Sequence, residues 1–260
     1  MPRLKSWPNV FCKTLLIVLS GCRTSSSPEP ISEAPLQGDA VVSSAYWPKD
    51  CIQESESLRK AFLRYVRPRV GWLRVKANYP YRESRLEGTA WYWEGHGVWV
   101  TCAHLFPQDS PKNLEIELWD VEGRCRVLPP PWREDSLDVA FLRDTQRVGL
   151  VLAKAPPEEG DWCFTVGAPL GLSFSFQEGY VVAERQIESR TYYQLSLWAA
   201  PGSSGSPVLS RTGHLTAMIT EIAGWGSNDL GIAFALPASK IWQAYQRYLT
   251  FAAYDTARAH

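Results

Sequence analysis

Three short segments carry residue types that can do nucleophilic chemistry together: Thr101-Cys102-Ala103-His104, Leu137-Asp138-Val139-Ala140 and Gly202-Ser203-Ser204-Gly205-Ser206-Pro207. Each adjoins an apolar, strand-like run. A serine hydroxyl is a weak nucleophile until an imidazole takes its proton during attack. The imidazole needs a carboxylate on its far nitrogen, which holds the tautomer and stabilises the imidazolium. The tetrahedral oxyanion that follows needs fixed donors, commonly two backbone N–H groups. Taken singly, each residue has a plain reading: an exposed histidine, a strand-capping aspartate, a serine in a Gly/Ser turn. The order His, Asp, Ser along one chain is what joins them.

The elements that must hold these segments are short strands. Residues 70–77 come first. Residues 88–93 and 98–102 predict a hairpin around Glu94-Gly95-His96-Gly97, Leu114, Ile116 and Leu118 alternate with polar residues, and 124–128 follows another turn. Residues 138–142, 149–153 and 163–166 complete a first group with its crossover. Residues 180–183, 192–197, 208–209, 215–222 and 231–236 form a second. A helix over 54–66 has Leu58, Phe62 and Tyr65 on one face, and one over 239–252 has Ile241, Tyr245, Tyr248 and Leu249 at helical spacing. Many short strands, with no β-α-β alternation and no repeat, predict an all-β fold of the sandwich or barrel kind with helices at its ends.

The chain has 260 residues, 45% hydrophobic and 21% charged, with a formal net charge of +0, which gives no footprint for a nucleic-acid partner. Twelve Trp and eleven Tyr predict an aromatic-rich packed domain. Arg3, Lys5 and Lys13 precede the apolar Leu15-Leu16-Ile17-Val18-Leu19, a targeting pattern. The string Leu19-Ser20-Gly21-Cys22 resembles a bacterial lipoprotein cleavage box. It implies a signal peptide over 1–21, lipidation of Cys22, a membrane contact through that lipid, and a place on the outer side of a bacterial membrane. The plain alternative is a secretory signal with Cys22 incidental. Residues 22–44 are rich in Ser, Pro and Glu and read as a tether of roughly 25 Å, leaving 45–260 as the domain. Cys51, Cys102, Cys125 and Cys163 remain there, either in one of three pairings or as buried thiols. No CxxC pair occurs and the four histidines are dispersed, so neither a metal nor a cofactor is expected.

In that order the three segments resemble the active-site segments of trypsin-like serine proteases. Val66-Arg67-Pro68-Arg69-Val70, Gly88-Thr89-Ala90, Val166-Gly167-Ala168-Pro169-Leu170-Gly171-Leu172 and Gly231-Ile232-Ala233-Phe234-Ala235-Leu236-Pro237 are similar, in collinear order, to segments of the HtrA-like branch. The resemblance implies a two-barrel chymotrypsin-like fold with the site between the barrels. It implies Ser204 as nucleophile, His104 as general base, Asp138 as orienting carboxylate, the amides of Gly202 and Ser204 as oxyanion donors, and protein or peptide substrates. Around the first pocket it implies Trp198, Ile219, Thr220 and Glu221, with a substrate added as a strand along 219–221. Asp135 is the fallback carboxylate, and Ser203 and Ser206 are competing serines. The Ser, acid, His order of α/β-hydrolases differs, which disfavours an esterase of that fold.

Three departures bear on the expectation. Ser203 stands where the trypsin branch has Asp, so activation by a new N-terminus is not expected. Ser206 replaces a glycine and is expected to crowd the oxyanion turn. The sequence ends soon after the last helix, so no PDZ domain is expected, and the oligomeric state stays open. The rival functions are a catalytically inactive peptide-binding module on the same fold and a structural envelope lipoprotein.

Overall fold

Thirteen strands and two long helices follow one another in the computed structural model, which describes residues 49–145, 148–225 and 228–258. The expected leader, Cys22 and the 22–44 tether lie outside the described residues, as do the side chains of Cys51 and Glu221. β1 (Val70–Tyr79), β2 (Arg82–Trp93), β3 (Val98–Thr101), β4 (Asn113–Trp119), β5 (Cys125–Val127), β6 (Trp132–Glu134) and β7 (Val139–Arg143) form a seven-stranded sheet in the order β5-β4-β1-β2-β3-β7-β6. β8 (Trp162–Gly167), β9 (Ser175–Ile187), β10 (Arg190–Trp198), β11 (Pro207–Ser210), β12 (Leu215–Trp225) and β13 (Asn228–Pro237) close a barrel in the order β10-β13-β12-β11-β8-β9. The all-β expectation holds, and the arrangement is that of a two-barrel chymotrypsin-like fold.

Two expected placements are corrected. Residues 163–166 belong to β8 and pair with β9 and β11, so they open the closed barrel and do not complete the first group. Residues 149–153 are no strand: this crossover makes single parallel bridges, Trp93 with Leu150 and Leu152 with Leu215. Alternation reports a half-buried extended segment whichever sheet receives it, so it cannot assign partners. β2 also starts six residues before the predicted 88, because Arg82 to Glu87 pair residue for residue with β1 up to Tyr79. Apart from the exposed Leu86 those residues are polar, so they leave no alternating hydrophobic signal.

The two helices cross-tie the halves. α1 (Lys49–Val66), at the front of the described chain, packs on the rear barrel: Phe62 lies 4.6 Å from Phe164, and Arg59 pairs with Glu178 of β9. α2 (Ala238–Arg258) returns from the last strand to the first sheet. There Tyr245 lies 5.5 Å from Phe141, Tyr248 lies 5.7 Å from Trp132, and Arg143 donates to the Tyr248 hydroxyl at 2.8 Å. One apolar cluster therefore runs from both helices through the sheet into Phe164, Val166, Leu209 and Met218 of the barrel. Burying each such aromatic removes apolar surface worth about 1.5–3 kcal/mol. The barrel lumen is filled separately and by smaller residues, including Ala199, Ala217, Ala233 and Ala235.

Candidate active site

Strand pairing brings the imidazole and the carboxylate together. β3 and β7 are neighbours, with Thr101 opposite Ala140, so the turn after β3 and the turn before β7 share one end of the sheet. His104 sits in a single 3-10 turn, Ala103–Leu105. Asp138 lies just before β7 at φ +56°, a left-handed conformation that Asp tolerates better than most residues. Its Oδ1 accepts the His104 backbone N–H at 2.8 Å, and its Oδ2 lies 2.7 Å from His104 Nδ1. The second contact fixes the ring and the first fixes the backbone carrying it. His104 Nε2 lies 3.1 Å from Ser204 Oγ. The histidine side chain is 46% exposed and the aspartate 13%.

The nucleophile turn is built on the barrel between Trp198 and Pro207. Gly202 has φ +98° and Gly205 φ +87°; a Cβ on Gly202 would stand 2.3 Å from the Ala168 carbonyl oxygen, and one on Gly205 1.9 Å from that of Thr89. Both positions therefore need glycine twice over, for backbone conformation and for space. Thr89, from β2 of the other half, is the hub. Its hydroxyl donates to the Gly202 carbonyl at 3.1 Å and accepts from Ala168 N at 3.0 Å, and its N–H donates to the Ser204 carbonyl at 2.8 Å. Leu170 N donates to the Pro201 carbonyl at 2.7 Å, which ties the 167–171 loop to the same turn. The amides of Gly202 and Ser204 donate to no acceptor among the described residues, an arrangement open to an incoming oxyanion.

The departures have local explanations. Ser203 is buried; its N–H donates to the Ala200 carbonyl at 2.9 Å and its Oγ accepts from Ala200 N at 3.1 Å, so it braces the turn and faces away from the imidazole. Ser206 is buried against Gly167, where a Cβ would come within 2.0 Å of its Oγ. The missing side chain at Gly167 makes the room that the extra one at Ser206 occupies. Asp135 is held by Arg133 at 2.7 Å on the rim of a small cleft, of about 230 Å³, that also touches His104 and Arg190. It is not the imidazole's partner.

The residues expected around the first pocket differ in burial. Trp198 is half exposed at the end of β10. Ile219 is buried in the barrel core with Ala199 and Ala233, and its carbonyl is what reaches the site, accepting Gly205 N at 2.8 Å. Thr220 is buried with no hydrogen-bond partner for its hydroxyl among the described residues. Sequence reasoning missed Thr89 as a positioning residue, because the string Gly88-Thr89-Ala90 carries no local sign of that role. It also missed Cys102, whose buried Sγ donates to the Ile219 carbonyl at 3.4 Å beside the histidine turn. Cys125 and Cys163 are free thiols, and burial pushes the Cys163 thiol up to about 12, so it is inert at neutral pH.

The model of the trypsin-like peptidase domain matches residues 88–218, half of the sequence, and includes all three candidate residues. The chain belongs to this family. Its sequence is 32% identical over 163 residues to a DegP-like periplasmic serine endoprotease of Rhizobium meliloti, covering 60% of this chain and 32% of that protein. A DegP-like counterpart from Chlamydia trachomatis is 29% identical over 165 residues, covering 61% and 33%. The chain thus spans about a third of the length of these curated relatives. Among solved structures, the HtrA-type protease AlgW with a tripeptide superposes with a TM-score of 0.61 at 20% identity, covering 72% of this chain and 62% of that one. These relatives bear out the HtrA-like resemblance of the motifs.

Proposed function

We propose that this chain is a serine endopeptidase that cleaves protein or peptide substrates outside the cytoplasm. The observation that carries the reading is the continuous line from Asp138 Oδ2 through His104 to Ser204 Oγ, at 2.7 and 3.1 Å. Ser204 Oγ bonds to the substrate carbonyl carbon while its proton passes to Nε2. Asp138 stabilises the imidazolium, and the amides of Gly202 and Ser204 receive the oxyanion. Nε2 then gives the proton to the leaving amine as the C–N bond breaks, leaving an acyl-enzyme. Water, deprotonated by the same Nε2, releases the acid. The names of the DegP-like relatives support an extracytoplasmic site of action, and the Leu19-Ser20-Gly21-Cys22 box supports a lipid anchor at Cys22. No described helix is long and apolar enough to cross a membrane.

The deciding experiment treats the full chain with a fluorophosphonate and weighs the intact protein. One adduct is expected, absent from Ser204→Ala, with peptide turnover of the variant down by at least ~10³-fold and its circular dichroism unchanged. A well-folded protein that takes no adduct overturns the peptidase reading in favour of a binding module. Fractionation tests the anchor: Cys22→Ala should leave the membrane fraction, and a variant that still sediments with membranes refutes it.

A further inference from the structure

We propose that Cys102, His104 and Asp138 form an inhibitory site for a soft divalent metal ion of the zinc or cadmium kind, which turns the enzyme off by capturing its base. The regulatory half of this statement rests on the peptidase reading; the metal site itself does not. One donor atom from each residue lies within 4.8 Å of the other two, the only such convergence of three among the described residues. The thiol of Cys102 is buried against the turn that carries His104. It donates to a backbone carbonyl, and serine-peptidase chemistry makes no use of it. A thiolate, an imidazole and a carboxylate make a ligand set suited to tetrahedral zinc, with water as the fourth ligand.

The geometry asks for small movements. Zinc bonds of about 2.3 Å to sulfur and 2.0–2.2 Å to nitrogen and oxygen put ligand atoms roughly 3.3–3.7 Å apart. Nδ1 and Oδ2 start at 2.7 Å and must open slightly, and the thiol must turn from the Ile219 carbonyl. The half-exposed imidazole gives the ion its way in.

The proton balance explains the inhibition. In the resting site Nδ1 carries its proton toward Asp138, and Nε2 is free to accept from Ser204. An ion bonded to Nδ1, to an Asp138 oxygen and to Cys102 Sγ displaces two protons. The thiol proton goes to solvent, and the Nδ1 proton is replaced by one on Nε2. No electrons are transferred. Nε2 then donates and can no longer accept, so Ser204 loses its base while its own side chain touches no metal. With one net proton released, affinity should rise about tenfold per pH unit wherever the thiol is protonated.

The test uses chelator-treated full chain titrated with cobalt(II), read by the near-ultraviolet charge-transfer band of a cobalt–thiolate bond. In parallel, each protein's fluorophosphonate labelling rate is measured with and without zinc. Wild type and Ser204→Ala should both show the band at one ion per chain, and zinc should slow wild-type labelling reversibly. Cys102→Ala, or Cys102→Ser where alanine fails to fold, should lose the band. It should also lose zinc sensitivity by more than the ~10–100-fold typical of removing an outer-shell partner. An unchanged ratio of rates with and without zinc in the Cys102 variant overturns the proposal, as does a band that survives the substitution. A band in Ser204→Ala beside a metal-free wild type that never labels would instead refute the peptidase reading and keep the metal site.

Discussion

The two halves of the molecule deliver their parts of the site in opposite ways. The sheet presents His104 half exposed on a single turn, held by two contacts to one carboxylate. The barrel presents Ser204 on a turn clamped from several sides by buried backbone, with no space for a Cβ at either flanking glycine. The difference suits the proposed tasks. An oxyanion site gains its power from dipoles fixed before the reaction, so its turn must be over-determined. A base must exchange protons with substrate and water, so its ring must stay reachable. Thr89 couples the two, since it is a sheet residue whose hydroxyl and amide hold the barrel's turn.

Breaking the clamp should have the largest effect. Gly205→Ala puts a Cβ into the Thr89 carbonyl at a φ of +87°. It should cost more than about 3 kcal/mol, a fall of roughly 6–12 °C in Tm for a domain of this size, and abolish probe labelling. Scanning calorimetry and labelling read both, and an alanine variant labelled at the wild-type rate would show that the turn is not rigid. Thr89→Val should be milder. It keeps the shape but strands the Gly202 carbonyl and Ala168 amide, costing about 1–3 kcal/mol and slowing labelling. Thr89→Ser, which keeps the hydroxyl, should recover most of the labelling; if serine and valine behave alike, the hydroxyl is not what positions the turn.

That the clamp is centred on Thr89 was not legible beforehand, and the reason is physical. His104, Asp138 and Ser204 announce themselves because their side chains carry unusual chemistry in short, recognisable strings. Thr89 acts through ordinary hydrogen bonds to backbone atoms 79 positions away at Ala168 and 113 at Gly202, and no local pattern encodes those partners. Cys102 is similar, since its nearness to Asp138 follows from the pairing of β3 with β7 and not from its neighbours in sequence. At the level of the fold, strand positions were readable from alternation wherever one face is buried. They were lost where β2 and β9 run out as polar ribbons, and where 163–166 had to be given to one sheet or the other.

A smaller effect should come from the serine that departs from the family pattern. Ser206 Oγ is buried without a partner among the described residues, so Ser206→Ala removes an unpaired hydroxyl while keeping the Cβ that Gly167 accommodates. Unfolding free energy should be unchanged or up by as much as about 1 kcal/mol, with labelling preserved. A clear loss of stability in urea melts would mean that the hydroxyl has a partner, such as a bound water, and that the turn depends on it.

The smallest effect should fall on the sheet alone and only in acid. Glu117 of β4 is mostly buried, which pushes its carboxyl up, yet hydrogen bonds from Lys76 and from Trp119 at 3.3 Å, with the charge of Arg74, bring it below the usual value of 4.5. A carboxyl whose folded value lies below its unfolded one stabilises the fold above the unfolded value, and that contribution fades as pH falls through the folded one. Stability should therefore be level through neutral pH and decline below about 4.5, and Glu117→Gln should flatten part of that decline. Labelling at neutral pH should not change, because the cluster lies on β1 and β4, away from β3 and β7. Should Glu117→Gln alter neutral labelling instead, the charge cluster of the sheet and the exposed base would be mechanically linked, and the division of labour between a stable frame and a reachable histidine would not hold.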